Sequence, residues 1–424
     1  MHLVLGFAPI LLSVLLLQLS SGGVAPLDAL SGLGAGFSPT EIGLLGSAHF
    51  AGFFAGCLAA PRLMGGVGHS RSFAAFAAAG AIGILGHTLT DQPLIWALLR
   101  VLTGLCIAGC YTVIEGWLHA RLTNAVRGRA MGAYRLVDTT GSLGAQLLIA
   151  VLTPGAWLSY NILAILCCAS LLPLALTRLP QPATVAAPRL RPLASFRLSP
   201  LAVSAVVVAG VTSSSFRMIG PIYGIRVGLA ADQIALFLAA FVLGGALAQV
   251  PAGWIADRVD RRHVLIGLSL AAIATSALTV AAAGQGTAAV FAAATAFGMA
   301  TFPVFSVASA HANDFARPEE AGELSAALIF FYAIGAIASP SLASALVAAY
   351  GPEALFALVA VAHLALALIG LMRMFARPSA ERRTSYTWVP RTSLLIGRLL
   401  HPRRARGGAA DASAPGLARA RRPR

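Results

Sequence analysis

Apolar runs of about twenty residues recur along this chain, separated by short polar breaks. They lie at roughly 3–25, 41–60, 72–90, 94–118, 130–151, 156–176, 200–223, 232–255, 264–283, 288–311, 323–348 and 354–374. A helix needs about 20 largely apolar residues to cross the hydrocarbon core of a bilayer, so each run predicts one crossing. The breaks carry turn chemistry, with Ser38-Pro39, Asp91-Gln92-Pro93, Pro154-Gly155 and Gly351-Pro352 between runs. The longest break, 177–199, is rich in Pro and Arg and falls near the middle of the chain. The pattern predicts an all-α membrane protein of twelve transmembrane helices in two six-helix bundles, 1–176 and 200–376. A polar tail follows from 377, expected to be disordered, with Leu394–Leu400 a candidate surface helix.

Composition removes the soluble alternatives. Of 424 residues, 58% are hydrophobic and 11% charged, and the mean hydropathy is +0.81. Soluble domains carry about 25% charged residues, because a water-facing surface demands them. The net charge of +15 would suggest nucleic acid if it were spread along the chain. Instead, twelve Arg lie in the tail from 377 onward, against Glu381 and Asp411. A basic segment beside a membrane suits anionic lipid headgroups, so the lipid bilayer, and no nucleic acid, is the expected partner.

Arg in loops also orients the chain, because basic residues near helix ends are retained on the cytoplasmic side. With the N-terminus inside, the loops on that side hold 13 Arg and the opposite loops hold one, Arg226. Both termini are therefore expected in the cytoplasm.

Charges inside the apolar runs are few and costly, and they mark pathways or buried pairs. They are Arg100, Glu115, Arg135, Asp138 and Arg217, with Asp28 at the expected outer end of the first helix. Glu115 and Arg135 fall roughly 6 and 9 Å from the cytoplasmic ends of their helices, close enough in depth to pair. Asp138 is one turn deeper than Arg135. It reads as a proton-coupling or solute-contacting acid, with a static salt bridge between helices 4 and 5 as the alternative. Asp28 and Arg217, on the equivalent first helices of the two halves, are a candidate outer gate. Small residues such as Gly52 and Gly56, or Gly104 and Gly109, mark close helix seams. The five cysteines sit in apolar runs with no metal or disulfide spacing, and His49 and His363 read as packed interior histidines. No G-x-x-x-x-G-K-[ST] occurs, which argues against an ATP-driven pump. No nucleophile–base set stands out either, so an enzyme is the less favoured class.

The sharpest motif is G-W-I-A-D-R-V-D-R-R at Gly253–Arg262. It resembles the loop signature G-x-x-x-D-R-x-G-R-[RK] of the major facilitator superfamily (MFS), with Asp260 where the glycine usually stands. The equivalent stretch of the first half, Pro61–Arg71, has Gly65 and Gly66 where the Asp and Arg would be. Arg100 with Gly104, then E-G-W-L at Glu115–Leu118, R-G-R at Arg127–Arg129, Tyr134 and G-A-Q at Gly144–Gln146 resemble a branch of largely uncharacterised bacterial carriers in that superfamily.

The resemblance implies a secondary transporter of a small solute in a bacterial inner membrane, working by alternating access. It needs no cofactor, and protons are the candidate energy source. Helices 1, 4, 7 and 10 would line the cavity, while Asp257, Arg258, Arg261 and Arg262 would latch the cytoplasmic side. One chain holds both halves, so a monomer suffices. A passive facilitator, and a non-transporting sensor or assembly protein on the same fold, are the alternatives.

Overall fold

The computed structural model describes residues 2–121, 127–177, 189–317, 319–376 and 384–389. Among them every regular element is a helix. In chain order the long helices are α1 (His2–Gly34), α2 (Pro39–Val67), α3 (His69–Gly86), α4 (Pro93–Arg121), α5 (Arg127–Leu148) and α6 (Trp157–Ala175). The second half holds α7 (Pro200–Arg226), α8 (Ala231–Arg258), α9 (Arg261–Ala281), α10 (Thr287–Asn313), α11 (Ala321–Tyr350) and α12 (Ala354–Ala376). Eleven of these, all except α5, are long and apolar enough to cross a membrane. The exception carries Arg127, Arg129, Arg135 and Asp138, yet packs lengthwise on α1 and reaches α8 as an interior helix of the bundle does.

Several helices depart from the apolar runs in ways their residues explain. The first runs on to Gly34, through Pro26 and the small apolar residues after it. Asp28 is therefore inside the helix and fully buried, not at its end. Proline breaks α10, which stops at Thr301 and resumes at Pro303, because a ring nitrogen gives the ladder no N–H. The middle break contains a short helix, Pro192–Leu198, started by its proline. Ser38 caps α2 by accepting from the Glu41 N–H, and Glu41 returns the bond to the Ser38 N–H at 2.8 Å.

Small residues set the seams. The α2–α4 contact is the closest in the first half: a Cβ on Gly104 would stand 1.9 Å from the His49 carbonyl oxygen, so only glycine fits there.

The two halves have unlike interiors. The second is held by an aromatic cluster, in which Phe216 lies 4.0 Å from Phe241 and 5.5 Å from Phe297, and Phe297 lies 5.4 Å from Phe356, ring centre to ring centre. These rings join α7, α8, α10 and α12. The equivalent part of the first half buries a polar group instead, Asp28, His87, Arg100 and Tyr160.

The halves meet most closely between α2 and α11. The Ser47 and Ser341 hydroxyls are 2.7 Å apart, and the Phe54 and Phe330 ring centres are 5.5 Å apart. Ser47 and Ser341 lie toward the α1–α2 and α11–α12 loops, so the halves are shut at that end.

Candidate functional site

Between the halves lies a cavity of about 200 Å³. Its walls come from α1, α4, α7 and α10, and equally from α2, α5, α8 and α11. The wall from the first half carries most of the polar groups, with Gln18, His49, Arg100, Tyr111, Asp138 and Ser142, beside Phe50, Phe53 and Ile107. That from the second is more apolar, with Met218, Val242, Ala246, Phe302 and Tyr332 beside Ser214 and Arg217. The cavity is thus two-faced, with hydrogen-bonding groups opposite aromatic and aliphatic ones.

Asp138 is the carboxylate of this cavity. Its Oδ1 accepts from the Tyr111 hydroxyl at 2.5 Å and from Gln18 Nε2 at 2.7 Å. Tyr111 on α4 and Gln18 on α1 thus aim a single acid on α5, and its other oxygen is left to other partners. Neither Tyr111 nor Gln18 stood out in the sequence, because neutral polar residues in apolar runs are common. His49 is not a sealed interior histidine: it lines the cavity, its Nδ1 3.1 Å from the Thr103 hydroxyl. His363 is buried away from the cavity against Thr212.

The expected pairing of Arg135 is not found. Among the described residues it forms no ion pair with Glu115 or Asp138, and none of its guanidinium nitrogens has a hydrogen-bond partner. It lies instead 5.8 Å from the centre of the Trp388 ring. Glu115 is fully buried and accepts from the Tyr134 hydroxyl at 3.4 Å.

The outer pair also changes partner. Asp28 Oδ2 is 3.5 Å from Arg100 Nε and 3.4 Å from His87 Nε2, and its Oδ1 accepts from the Tyr160 hydroxyl at 3.1 Å. Arg217 faces the cavity rather than Asp28. Because Asp28 lies six residues inside the end of α1, its neighbours come from α4, α6 and the turn after α3, all in its own half. His87 Nδ1 is 2.6 Å from the Gly83 carbonyl, which only accepts, so Nδ1 carries a hydrogen.

At the other end of the molecule the loop signature forms a tight knot. Arg261 is fully buried and donates to the Ala310 carbonyl at 2.9 Å, to the Asp314 carboxylate, and to Asp257 Oδ1 at 3.3 Å. The ion-paired group at this loop is therefore Asp257, Arg261 and Asp314. Arg258 is not part of it: exposed, it folds back on its own helix, 4.1 Å over the Trp254 ring. Asp314 was not foreseen. Asp260, in the usual glycine place, caps α9 by accepting from the Arg262 N–H at 3.0 Å and holds the Arg262 side chain at 2.6 Å. Partial burial would push its carboxyl up, but the hydrogen bonds and charge of Arg262 outweigh this and hold it below its usual range.

Six residues of the tail also belong to the site. Thr384–Val389 run along this knot and into the cavity, where Trp388 and Val389 line the wall. Disorder was expected from 377 onward; these six are packed. The candidate helix Leu394–Leu400 lies outside the described residues.

The family model of the Major Facilitator Superfamily matches residues 201–406. An uncharacterized MFS-type transporter of Yersinia pestis (strain Pestoides F) is 26% identical over 352 residues, covering 82% of this chain and 89% of its own. The MFS-type transporter YcaD of Salmonella arizonae is 27% identical over 327 residues, 76% of this chain and 83% of its own. Among solved structures, nucleoside transporter NupG superposes with a TM-score of 0.71 at 16% identity, covering 87% of this chain and 98% of that one. A bacterial homologue of the human lysosomal transporter Spinster, solved inward-facing and occupied, gives 0.72 at 16%, over 88% and 97%. Two packed helical halves around one cavity, the Gly253–Arg262 loop and these relatives make the chain a multi-pass membrane protein with the major facilitator fold, similar to the transporters of that superfamily.

Proposed function

We propose that the protein is a secondary active transporter that moves a small amphipathic solute by alternating access, coupled to protons through Asp138. The observation that carries this reading is the position of Asp138: among the described residues it is the one carboxylate lining a cavity between two halves that are shut at one end. A carrier needs its solute site where both sides can reach it in turn, at the interface of its repeats. The two-faced wall suits a solute with a ring or aliphatic body and a hydrogen-bonding edge. Nucleosides have that character, and NupG is a nucleoside transporter, so they belong in the first panel of candidates.

The topology proposed with it has twelve crossings, α5 included, and both termini in the cytoplasm of a bacterial inner membrane. The asymmetry of 13 Arg to one supports that orientation. It puts the Asp257 knot at the cytoplasmic end, and the structure would then be inward-facing. The Arg-rich tail would lie against anionic lipid.

The test is a thermal-shift screen of purified protein against nucleosides, other metabolites and drugs, followed by counterflow in proteoliposomes for each hit. A ligand present at 100 times its Kd stabilises the folded state by about 2.7 kcal/mol, well above the scatter of such screens. The expected result is a ligand that stabilises the protein and exchanges across the vesicle wall. Stabilisation without counterflow would make the chain a sensor on a carrier fold.

A further inference from the structure

The tail segment Thr384–Val389 enters the molecule at the end where the halves are not held together by Ser47 and Ser341, and it climbs. At the mouth, Thr384 donates its N–H to Asp314 at 2.8 Å, and its carbonyl accepts from Arg261. Next, the Tyr386 N–H donates to Asp257 at 2.7 Å, and the Tyr386 hydroxyl donates to Gln249 at 2.6 Å. The Val389 N–H then donates to the Ser306 hydroxyl at 3.2 Å. Gln249 and Ser306 each lie eight residues along their helices from Asp257 and Asp314, so the segment rises about 12 Å into the protein. At its top Trp388 lies beside Arg135 on the cavity wall.

This is a built contact rather than a strand resting on a surface. Val389 is 6% exposed. Gly253 of the loop signature is filled by the tail: a Cβ there would stand 2.4 Å from Tyr386 Cδ1. Gly253, Asp257 and Arg261 thus all hold the tail here. Those groups cannot at the same time clamp the opposite half shut. The remaining cavity, about 200 Å³, lies below the roughly 300–1,000 Å³ usual for small-molecule sites, as it would with an indole at its mouth.

The geometry points to Thr384–Val389 as a tethered plug, which fills the open mouth of the cavity and occupies the latch that would close it. The plug must withdraw before solute passes that mouth and before the halves can shut there. It holds the protein in one state, an autoinhibition built from the chain's own tail. Its regulatory meaning rests on the carrier reading; the plugging itself does not.

Access to the cavity tests it directly, without a known solute. In a Cys168→Ala background, because Cys168 is exposed, Ser142 on the cavity wall is replaced as Ser142→Cys, and its labelling by a membrane-impermeant maleimide is timed in vesicles of each orientation. Tyr386→Ala and Trp388→Ala are each expected to speed labelling about tenfold from the side that bears Asp257, and Tyr386→Phe, which keeps the ring, by less. A second arm uses Ser306→Cys with Val389→Cys joined by a short thiol crosslinker. The linked protein should label more slowly than the unlinked one, and reduction should restore the rate. Unchanged labelling in folded Tyr386→Ala and Trp388→Ala, or a linked protein labelled as fast as the unlinked one, would overturn the plug. Fast labelling of folded Tyr386→Ala and Trp388→Ala with no counterflow in either would instead count against the carrier reading alone.

Discussion

Arg261→Ala is expected to be the most destabilising single change at the signature loop, by about 3–5 kcal/mol. That is the range for breaking a buried ion pair from one side, since the partner charge is left without its counterpart. The guanidinium is 1% exposed and the Asp314 side chain 3%. It joins the start of α9 to the end of α10, to Asp257 on α8 and to the tail, so four segments lose one shared anchor. Arg261→Lys should recover little, because an ammonium lacks the planar fork that reaches several acceptors together. Arg258→Ala, three residues earlier in the motif but exposed and folded on its own Trp254, should stay within about 0.5 kcal/mol. Thermal unfolding of the three purified variants separates these outcomes. Equal losses for Arg258 and Arg261 would mean that the knot is not what holds the loop.

Asp138→Asn should abolish uphill accumulation while leaving exchange. Asparagine keeps the size of the side chain and still accepts from Tyr111 and Gln18, but it takes up no proton. A carrier coupled to one proton gains about 1.36 kcal/mol per pH unit of gradient, close to tenfold accumulation. In vesicles with an imposed gradient, the variant is therefore expected to equilibrate the solute and stop at a ratio of one. The titratable and charged groups around this acid are Tyr111, His49, Arg100, Arg135 and Arg217, from α4, α2, α5 and α7. Tyr111→Phe removes one donor at 2.5 Å and should move the pH dependence without erasing accumulation. Full accumulation by Asp138→Asn would assign the coupling elsewhere, with the buried Asp28–His87 pair the next acid to examine.

The crossings were legible because lipid leaves no freedom: about twenty apolar residues in a row have few other uses. Even α5, too charged to pass as a crossing by composition, was legible as a helix from the run at 130–151. The charged residues of the site were legible as a set, since each charge in an apolar run is costly. Their partners were not. Asp28 was paired with the wrong arginine because the apolar run thins out near residue 25, while the helix itself continues to Gly34. Arg258 was grouped with Arg261 in the signature because adjacent letters say nothing of which side of a helix end faces inward. The tail was read from its arginines, and the only hint of a packed segment was Tyr386 and Trp388 standing among Ser and Thr in a polar stretch.

The central claim is that the two halves open the cavity to each side in turn, and paired spin-label distances test it most directly. One pair, Val67→Cys with Val259→Cys, spans the end bearing the signature loop. The other, Ala35→Cys with Asp232→Cys, spans the opposite end. Cys168, the one exposed native cysteine among the described residues, is first replaced by alanine; the other four are buried. On adding solute or changing pH, the account predicts two populations in each pair, with one distance shortening as the other lengthens. A single unchanged distribution at both ends, or two distances that move in the same sense, would contradict it.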